Sequence, residues 1–278
     1  MTHRLYYCDH HEIALPEGHK FPVEKYRLLR QALAGDRSFE LLPAPLAERE
    51  EIELVHDEDY VGSFLKGMVE PSIMRRIGFP WSESLVKRTL ASAGGTITAA
   101  GDAPQSGFGG NLAGGTHHAF PGYGSGFCVF NDIAIAIRKL LTEGLARRAA
   151  VVDLDVHQGD GTALIFRDDP AVLTVSIHGA NNFPFHKRES KIDVALSDGT
   201  GDSEYLDALS KTLPRVFGFA PDIVFFQSGV DGLAADALGR LELTVAGIQE
   251  RDRMVMRGCR EAGIPLAATL AQLPQLEE

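Results

Sequence analysis

Residues 149–161, Ala-Ala-Val-Val-Asp-Leu-Asp-Val-His-Gln-Gly-Asp-Gly, join an apolar run to a cluster of acidic and imidazole side chains. The apolar opening predicts a buried strand over 149–155. Runs of the same kind, rich in β-branched and aliphatic residues, recur at 172–177, 222–227 and 264–270, each after a turn signal such as Asp-Pro, Ala-Pro or Ala-Gly. Helix-like segments alternate with them: 131–143 stopped by Gly144, 203–213 stopped by Pro214, and 244–262 stopped by Gly263. Strand, helix and strand at this spacing imply right-handed crossovers and a mostly parallel sheet covered by helices on both faces. The fold class is α/β.

Open α/β sheets bind ligands beyond the carboxyl ends of their strands. After the first run come Asp155, His157 and Asp160; after the second, His178; after the third, Ser228, Gly229 and Asp231. The fourth runs into Ala271-Gln272-Leu273-Pro274 and contributes no reactive group. Burying the ionisable groups of 153–160 is costly unless they are paired or hold a cation. In an extended segment residues 155 and 157 point the same way, so Asp155 and His157 can reach one ion, with Asp153 behind them as a supporting partner. Asp231 is the best placed third ligand. Two aspartates and one histidine leave a coordination position open, the form of a catalytic site, and suit Zn²⁺ or Fe²⁺. A solvated loop with capping aspartates is the plain alternative, disfavoured by the strand context.

Glycine is locally concentrated: of 29 in the chain, eight fall between Gly107 and Gly126, around His117 and His118. Glycines let backbone approach closely, so this stretch reads as a wall that brings two histidines against the metal, where they can serve as base and acid for a metal-bound water. Asp153 and Asp160 can separate their pKa values by hydrogen bonding. A nucleotide loop is excluded because Gly122-Tyr123-Gly124-Ser125-Gly126 lacks the following Lys-Ser/Thr, and a serine hydrolase because no Gly-x-Ser-x-Gly turn exists.

Composition frames this reading. With 44% hydrophobic and 23% charged residues in 278, and no internal repeat or long linker, the expectation is one folded domain over 1–278. No apolar run is long enough for a membrane span and no signal peptide is recognisable, so a soluble, cytoplasmic chain is expected. Three cysteines without Cys-x-x-Cys spacing argue against disulfides and a zinc ribbon. A formal charge of −11 disfavours nucleic acid and favours neutral or cationic substrates.

These residues resemble the zinc-dependent histone deacetylase and acetylpolyamine amidohydrolase superfamily, which has the arginase/deacetylase fold. Its markers are Gly114-Gly115-Thr116-His117-His118-Ala119, Gly126-Phe127-Cys128, Asn131-Asp132, the 153–162 segment, and Ser228-Gly229-Val230-Asp231 followed by Asp236 and Leu238-Gly239. Leu15-Pro16-Glu17-Gly18-His19-Lys20-Phe21-Pro22 and Lys25-Tyr26 are most similar to class IV (eleventh-type) deacetylases and their bacterial relatives. The resemblance implies a zinc amidohydrolase that removes acyl groups from acyl-lysine or acylated polyamines. It implies zinc on Asp155, His157 and Asp231, with His117 and His118 as acid and base supported by Asp153 and Asp160. Gly126, Phe127 and Phe183 would wall the tunnel for the acyl-lysine stem. A potassium ion near Asp153, Asp155, His157 and Ser176 is implied as well. Dimanganese hydrolases of the same fold would want a carboxylate at 159 and an Asp-x-Asp from Asp231, where this chain has Gly159 and Leu233.

One departure falls on the chemistry. Where the family carries a Gly-Gly-Tyr turn and a final helix, residues 270–278 have neither Gly nor Tyr. That tyrosine donates to the oxyanion, and losing one such donor costs about 10²–10³ in rate. The expectation is a weak deacylase; a protein that binds acylated amines without turnover is the alternative. Of the six tyrosines only Tyr123 lies in the histidine loop.

Overall fold

An apolar strand without polar alternation needs cover on both faces. The computed structural model describes residues 2–19 and 21–270. Lys20 of the class IV-like stretch, and residues 271–278, where the absent tyrosine turn is read, lie outside the described residues. In chain order the elements are β1 (His3–Tyr7), α1 (Glu24–Leu33), β2 (Phe39–Pro43), α2 (Arg49–Ile52), α3 (Glu58–Leu65), α4 (Pro71–Ile77), α5 (Glu83–Ser106), β3 (Phe108–Asn111) and α6 (Asp132–Thr142). They continue as β4 (Ala149–Asp153), α7 (Asp160–Ile165), β5 (Val172–Gly179), β6 (Ile192–Leu196), α8 (Asp202–Gly218), β7 (Ile223–Gln227), α9 (Val245–Ala262) and β8 (Leu266–Thr269).

The strands form one eight-stranded, all-parallel sheet in the order β2-β1-β3-β8-β7-β4-β5-β6. Ala150 and Val152 of β4 pack with Leu209, Val216 and Val255 of α8 and α9. Ala149 and Val151 pack on the other face with Ala100, Ile133 and Ile137 of α5 and α6. Both faces are therefore core, and each buried aliphatic or aromatic side chain contributes about 1.5–3 kcal/mol.

From β4 the chain steps outward through β5 to β6, then returns to lay β7 on the other side of β4. This reversal is the topological switch point, where a crevice opens at the carboxyl ends of the strands. Asp155 and His157 follow β4, and Asp231 follows β7.

The structure differs from the sequence reading in three places. β4 ends at Asp153 instead of 155, because Asp153 itself turns the chain by accepting the Asp155 amide. α8 runs through Pro214 to Gly218. The hydrogen bond Pro214 removes is that of the exposed Ser210 carbonyl, which water can satisfy, while Val216 beyond it is fully buried. β1, β2, β3, β6, α1 to α5 and α7 have no counterpart among the predicted elements. The edge strands β2 and β6 are short and half-exposed, and α5 contains three glycines and Pro104, so local propensity disfavours a helix that packing imposes.

Candidate active site

Beyond β4 the chain is wound by its own aspartates. Asp153 Oδ1 accepts the Asp155 amide at 3.2 Å, and Asp155 Oδ1 accepts the His157 amide at 2.9 Å. These are Asx-type turns, which curl the backbone while satisfying it. Asp155 and His157 thus converge through successive turns, and the extended-strand alternation expected for 155 and 157 is not the cause. Asp231 joins from the β7 side, its Oδ1 accepting the Val156 amide at 3.0 Å. His157 Nδ1 lies 2.9 Å from Asp155 Oδ1 and 3.0 Å from Asp231 Oδ2. One ligand atom from each of the three residues falls within 4.8 Å of the others.

All three side chains are buried, and Asp155 Oδ2 has no hydrogen-bond partner among the described residues. Their titration expresses the conflict. Burial and the neighbouring Asp155 raise Asp231 to about 6. Burial opposes a charge on His157, but the two carboxylates outweigh it and raise the imidazole to about 10. Burial likewise opposes the Asp155 charge, and the His157 contacts still hold it below the usual carboxylate range. Two buried carboxylates that need a cation, an orphaned carboxylate oxygen and a histidine nitrogen between them fit a divalent metal with mixed N and O ligands. Among the described residues this is the one cluster with such geometry.

The histidine pair is presented by the loop after β3. Asp132, in the first turn of α6, accepts the amides of Gly115 and Thr116 at 3.1 and 2.7 Å, so the helix end anchors the glycine-rich backbone. His117 Nδ1 then lies 2.7 Å from Asp153 Oδ2, and His118 Nδ1 2.7 Å from Asp160 Oδ1, with the two rings 4.1 Å apart. Burial works against a charge on His117, but Asp153 overrides it and raises the imidazole to about 9. Burial and the neighbouring His117 lower His118 to about 4. Gly159 permits this arrangement, since a Cβ there would come within 2.4 Å of Asp153 Oδ2 and 3.0 Å of His117 Nδ1.

His118 and His157 open onto a cavity of about 280 Å³, whose walls include Gly126, Phe127 and Phe183. Phe183 stands edge-on to His118 at 4.9 Å. Gly126 and Phe127 are the central pair of a two-residue hairpin closed by reciprocal Ser125 and Cys128 backbone bonds. Their φ values are 54° and 62°, as a type I′ turn requires. Glycine takes this conformation freely and Phe127 does not. Phe127 is held there by its amide bonding the Ile77 carbonyl and by Phe21 and Phe79, each with its ring centroid 5.2 Å away. None of the six tyrosines lines the cavity. Tyr123 stacks on Phe120, and the Tyr60 hydroxyl donates to the Val129 carbonyl.

Other strand-end residues fall elsewhere. His178 lies inside β5, with Nδ1 3.0 Å from Ser176 Oγ, and takes no part in the cluster. Ser228 donates to Asp252. Ser176 is the register partner of Asp153, and the two border a void of about 10 Å³, room for about one small ion or water. Two site residues escaped the sequence reading. Gln227 closes β7 with its side-chain amide 2.6 Å from His117 Nδ1; a polar residue ending an apolar strand in register with Asp153 was the available signal. Arg251 of α9 is fully buried and donates to the carbonyls of Leu154 and Gly229, at 3.1 and 2.6 Å, beneath the loops that carry Asp155 and Asp231. The available signal was its helical spacing, three residues after Ile248 and four before Val255 on the buried face, which the exposed Arg253 and Arg257 do not share. No described helix is long and apolar enough to cross a membrane.

A family model described as Histone deacetylase domain matches residues 19–271. An uncharacterized protein of Picosynechococcus sp. is 47% identical over 260 residues, covering 92% of this chain and 87% of its own length. The acetoin utilization protein AcuC of Bacillus subtilis is 32% identical over 253 residues; the match covers 82% of this chain and 65% of the longer Bacillus protein. A crystal structure described as an HDAC homolog complexed with SAHA matches with a TM-score of 0.82 at 26% identity, over 98% of this chain and 79% of the other.

Proposed function

The chain belongs to the histone deacetylase family, and from that premise we propose that it is a zinc-dependent amidohydrolase that removes acyl groups from acyl-lysine or related acylated amines. The observation that carries this reading is the convergence of the Asp155, His157 and Asp231 ligand atoms within 4.8 Å, beside two Asp-paired histidines of which His118 lines the cavity. Bound to those three residues, zinc supplies a Lewis acid that polarises the amide carbonyl and acidifies water. Asp160 holds His118 Nδ1, which leaves Nε2 of this neutral imidazole to take a proton from the attacking water. Asp153 holds His117 Nδ1 and favours the protonated ring, which can hand a proton to the leaving amine. Two titratable groups with pKa values driven apart are the pattern of a base and an acid in one site. Phe127 and Phe183 take the apolar acyl-lysine stem and keep bulk water out. A potassium ion by Asp153 and Ser176 enters no step.

The tyrosine-free cavity supports slow turnover, because the oxyanion lacks one donor. A two-manganese site has no support: Gly159 supplies no ligand, and even a Cβ would collide with Asp153 there. The zinc-loaded chain is expected to hydrolyse a trifluoroacetyl-lysine peptide, whose activated carbonyl needs less oxyanion help, far faster than the acetyl-lysine peptide. Equal rates would show that another donor replaces the tyrosine. Hydroxamate binding without hydrolysis of either peptide would leave a binding protein in place of an enzyme.

A further inference from the structure

We infer that the cavity mouth selects acyl-lysine flanked by acidic residues, that Arg76 is the side chain that selects it, and that acylated polyamines are disfavoured. The inference rests on the amidohydrolase reading and narrows its substrate class. Arg76, in the last turn of α4, lines the same cavity as His118 and Phe127. Its backbone carbonyl accepts the Gly126 amide at 3.1 Å, which ties the residue to the hairpin that carries Phe127. The guanidinium lies over the Tyr123 ring, with Cζ 4.7 Å from the centroid, and Tyr123 is itself stacked on Phe120. Among the described residues no side chain makes a hydrogen bond or ion pair to the guanidinium, and the residue is exposed. It is a cation held in place without a counter-charge.

Among the described residues no aspartate or glutamate lines this cavity. Asp236, just before the lining residue Leu238, is buried, and its Oδ1 accepts the Leu238 and Gly239 amides at 2.8 and 2.7 Å. In the segment after Phe183, the Arg188 guanidinium lies over Phe120, the ring on which Tyr123 stacks, with Cζ 6.0 Å from the centroid. Lys187 Nζ is committed to the carbonyls of Asn182 and Pro184 and so also fixes that wall. A chain of formal charge −11 therefore presents a cationic rim at this opening. A polyamine would bring its remaining ammonium groups to that rim with no carboxylate to pair them, and like charges at a mouth exclude partners as effectively as opposite charges admit them.

The test uses the zinc-loaded full chain and fluorescent peptides that carry a hydroxamate in place of the acyl amide, with Glu, Gln or Lys on both sides. Their binding requires no turnover. The Glu peptide is expected to bind about fivefold tighter than the Gln peptide, and the Gln peptide about fivefold tighter than the Lys peptide, the size of a partly exposed charge pair. High salt should compress the differences. In R76E the order should reverse, and in R76Q the Glu and Lys peptides should draw to within about twofold. The same order in wild type and R76E, a wild-type preference for the Lys peptide, or tighter competition by N-acetylputrescine than by the Gln peptide would overturn the inference. Loss of hydrolysis with the binding order kept would remove only the enzyme reading, hydrolysis with the order lost only the rim reading, and binding of no peptide would remove both.

Discussion

His117 and His118 are chain neighbours, buried alike and each paired with an aspartate, yet they titrate in opposite directions. Burial opposes a charge on His117, but Asp153 at 2.7 Å, with Asp155 behind it, outweighs burial and raises it to about 9. His118 feels the charge of His117 itself, and burial takes it down to about 4. The pair can thus share one proton near neutral pH, which an acid and base working in turn require. A stability consequence follows for the metal-free protein. The folded value of His117 lies above the 6.5 of an ordinary histidine, so its contribution is fully present below about pH 6.5 and is lost as pH rises through about 9. Urea unfolding of the apo chain is expected to show wild type more stable than His117→Gln at pH 6, with the gap shrinking by pH 9.5. A gap that widens with pH would reverse the assignment. The His pair and its aspartates were legible in the sequence because each is a polar group beside glycine or at a strand end; Gln227 was less so, since an amide at a strand end carries no charge to explain.

α9 was predicted within one residue of its observed bounds, as a helix-like segment stopped by Gly263. Its role at the site was not, because the carbonyls that Arg251 reaches lie on distant segments. Arg251 bridges the carbonyls of Leu154 and Gly229 and pairs with Asp252, so one helix sets the separation of the loops bearing Asp155 and Asp231. Removing it strands the buried Gly229 carbonyl and leaves that of Leu154 only the Tyr205 hydroxyl at 3.5 Å, at about 1–3 kcal/mol each. Arg251→Met is expected to destabilise the chain by about 2–4 kcal/mol in urea unfolding, and to weaken zinc retention in a chelator competition. Arg251→Lys, which keeps charge but not the forked donors, should recover much of the stability and less of the metal affinity. Equal zinc affinity in all three proteins would show that Arg251 supports the core alone. Pro214 marks the opposite limit of local signals: a helix breaker fails to break α8 because its missing bond faces water.

At the scale of the whole molecule, the sheet order makes the site by seating β7 beside β4, so ligands about 75 residues apart in sequence meet across one crevice. The cluster is electrostatically unfinished without a cation, so zinc binding should couple to folding. At a free concentration a hundred times its Kd, zinc is expected to raise unfolding stability by about 2.7 kcal/mol, and a chelator to remove that gain. Asp231→Ala should abolish both the shift and the bound metal, and unchanged metal content in that variant would take Asp231 out of the ligand set. By itself the sequence determined the α/β class, the central strands, and which residues could bind metal or move protons. Those properties are written locally, in apolar runs that must be buried on both faces and in polar residues that such runs would otherwise not tolerate. Only the tertiary structure decided the short outer strands, the turns that aim Asp155 and His157, the carbonyls that Arg251 bridges and the cationic rim at Arg76. Each depends on distant segments packing together, and pairwise contact between remote residues leaves no periodicity to read along the chain.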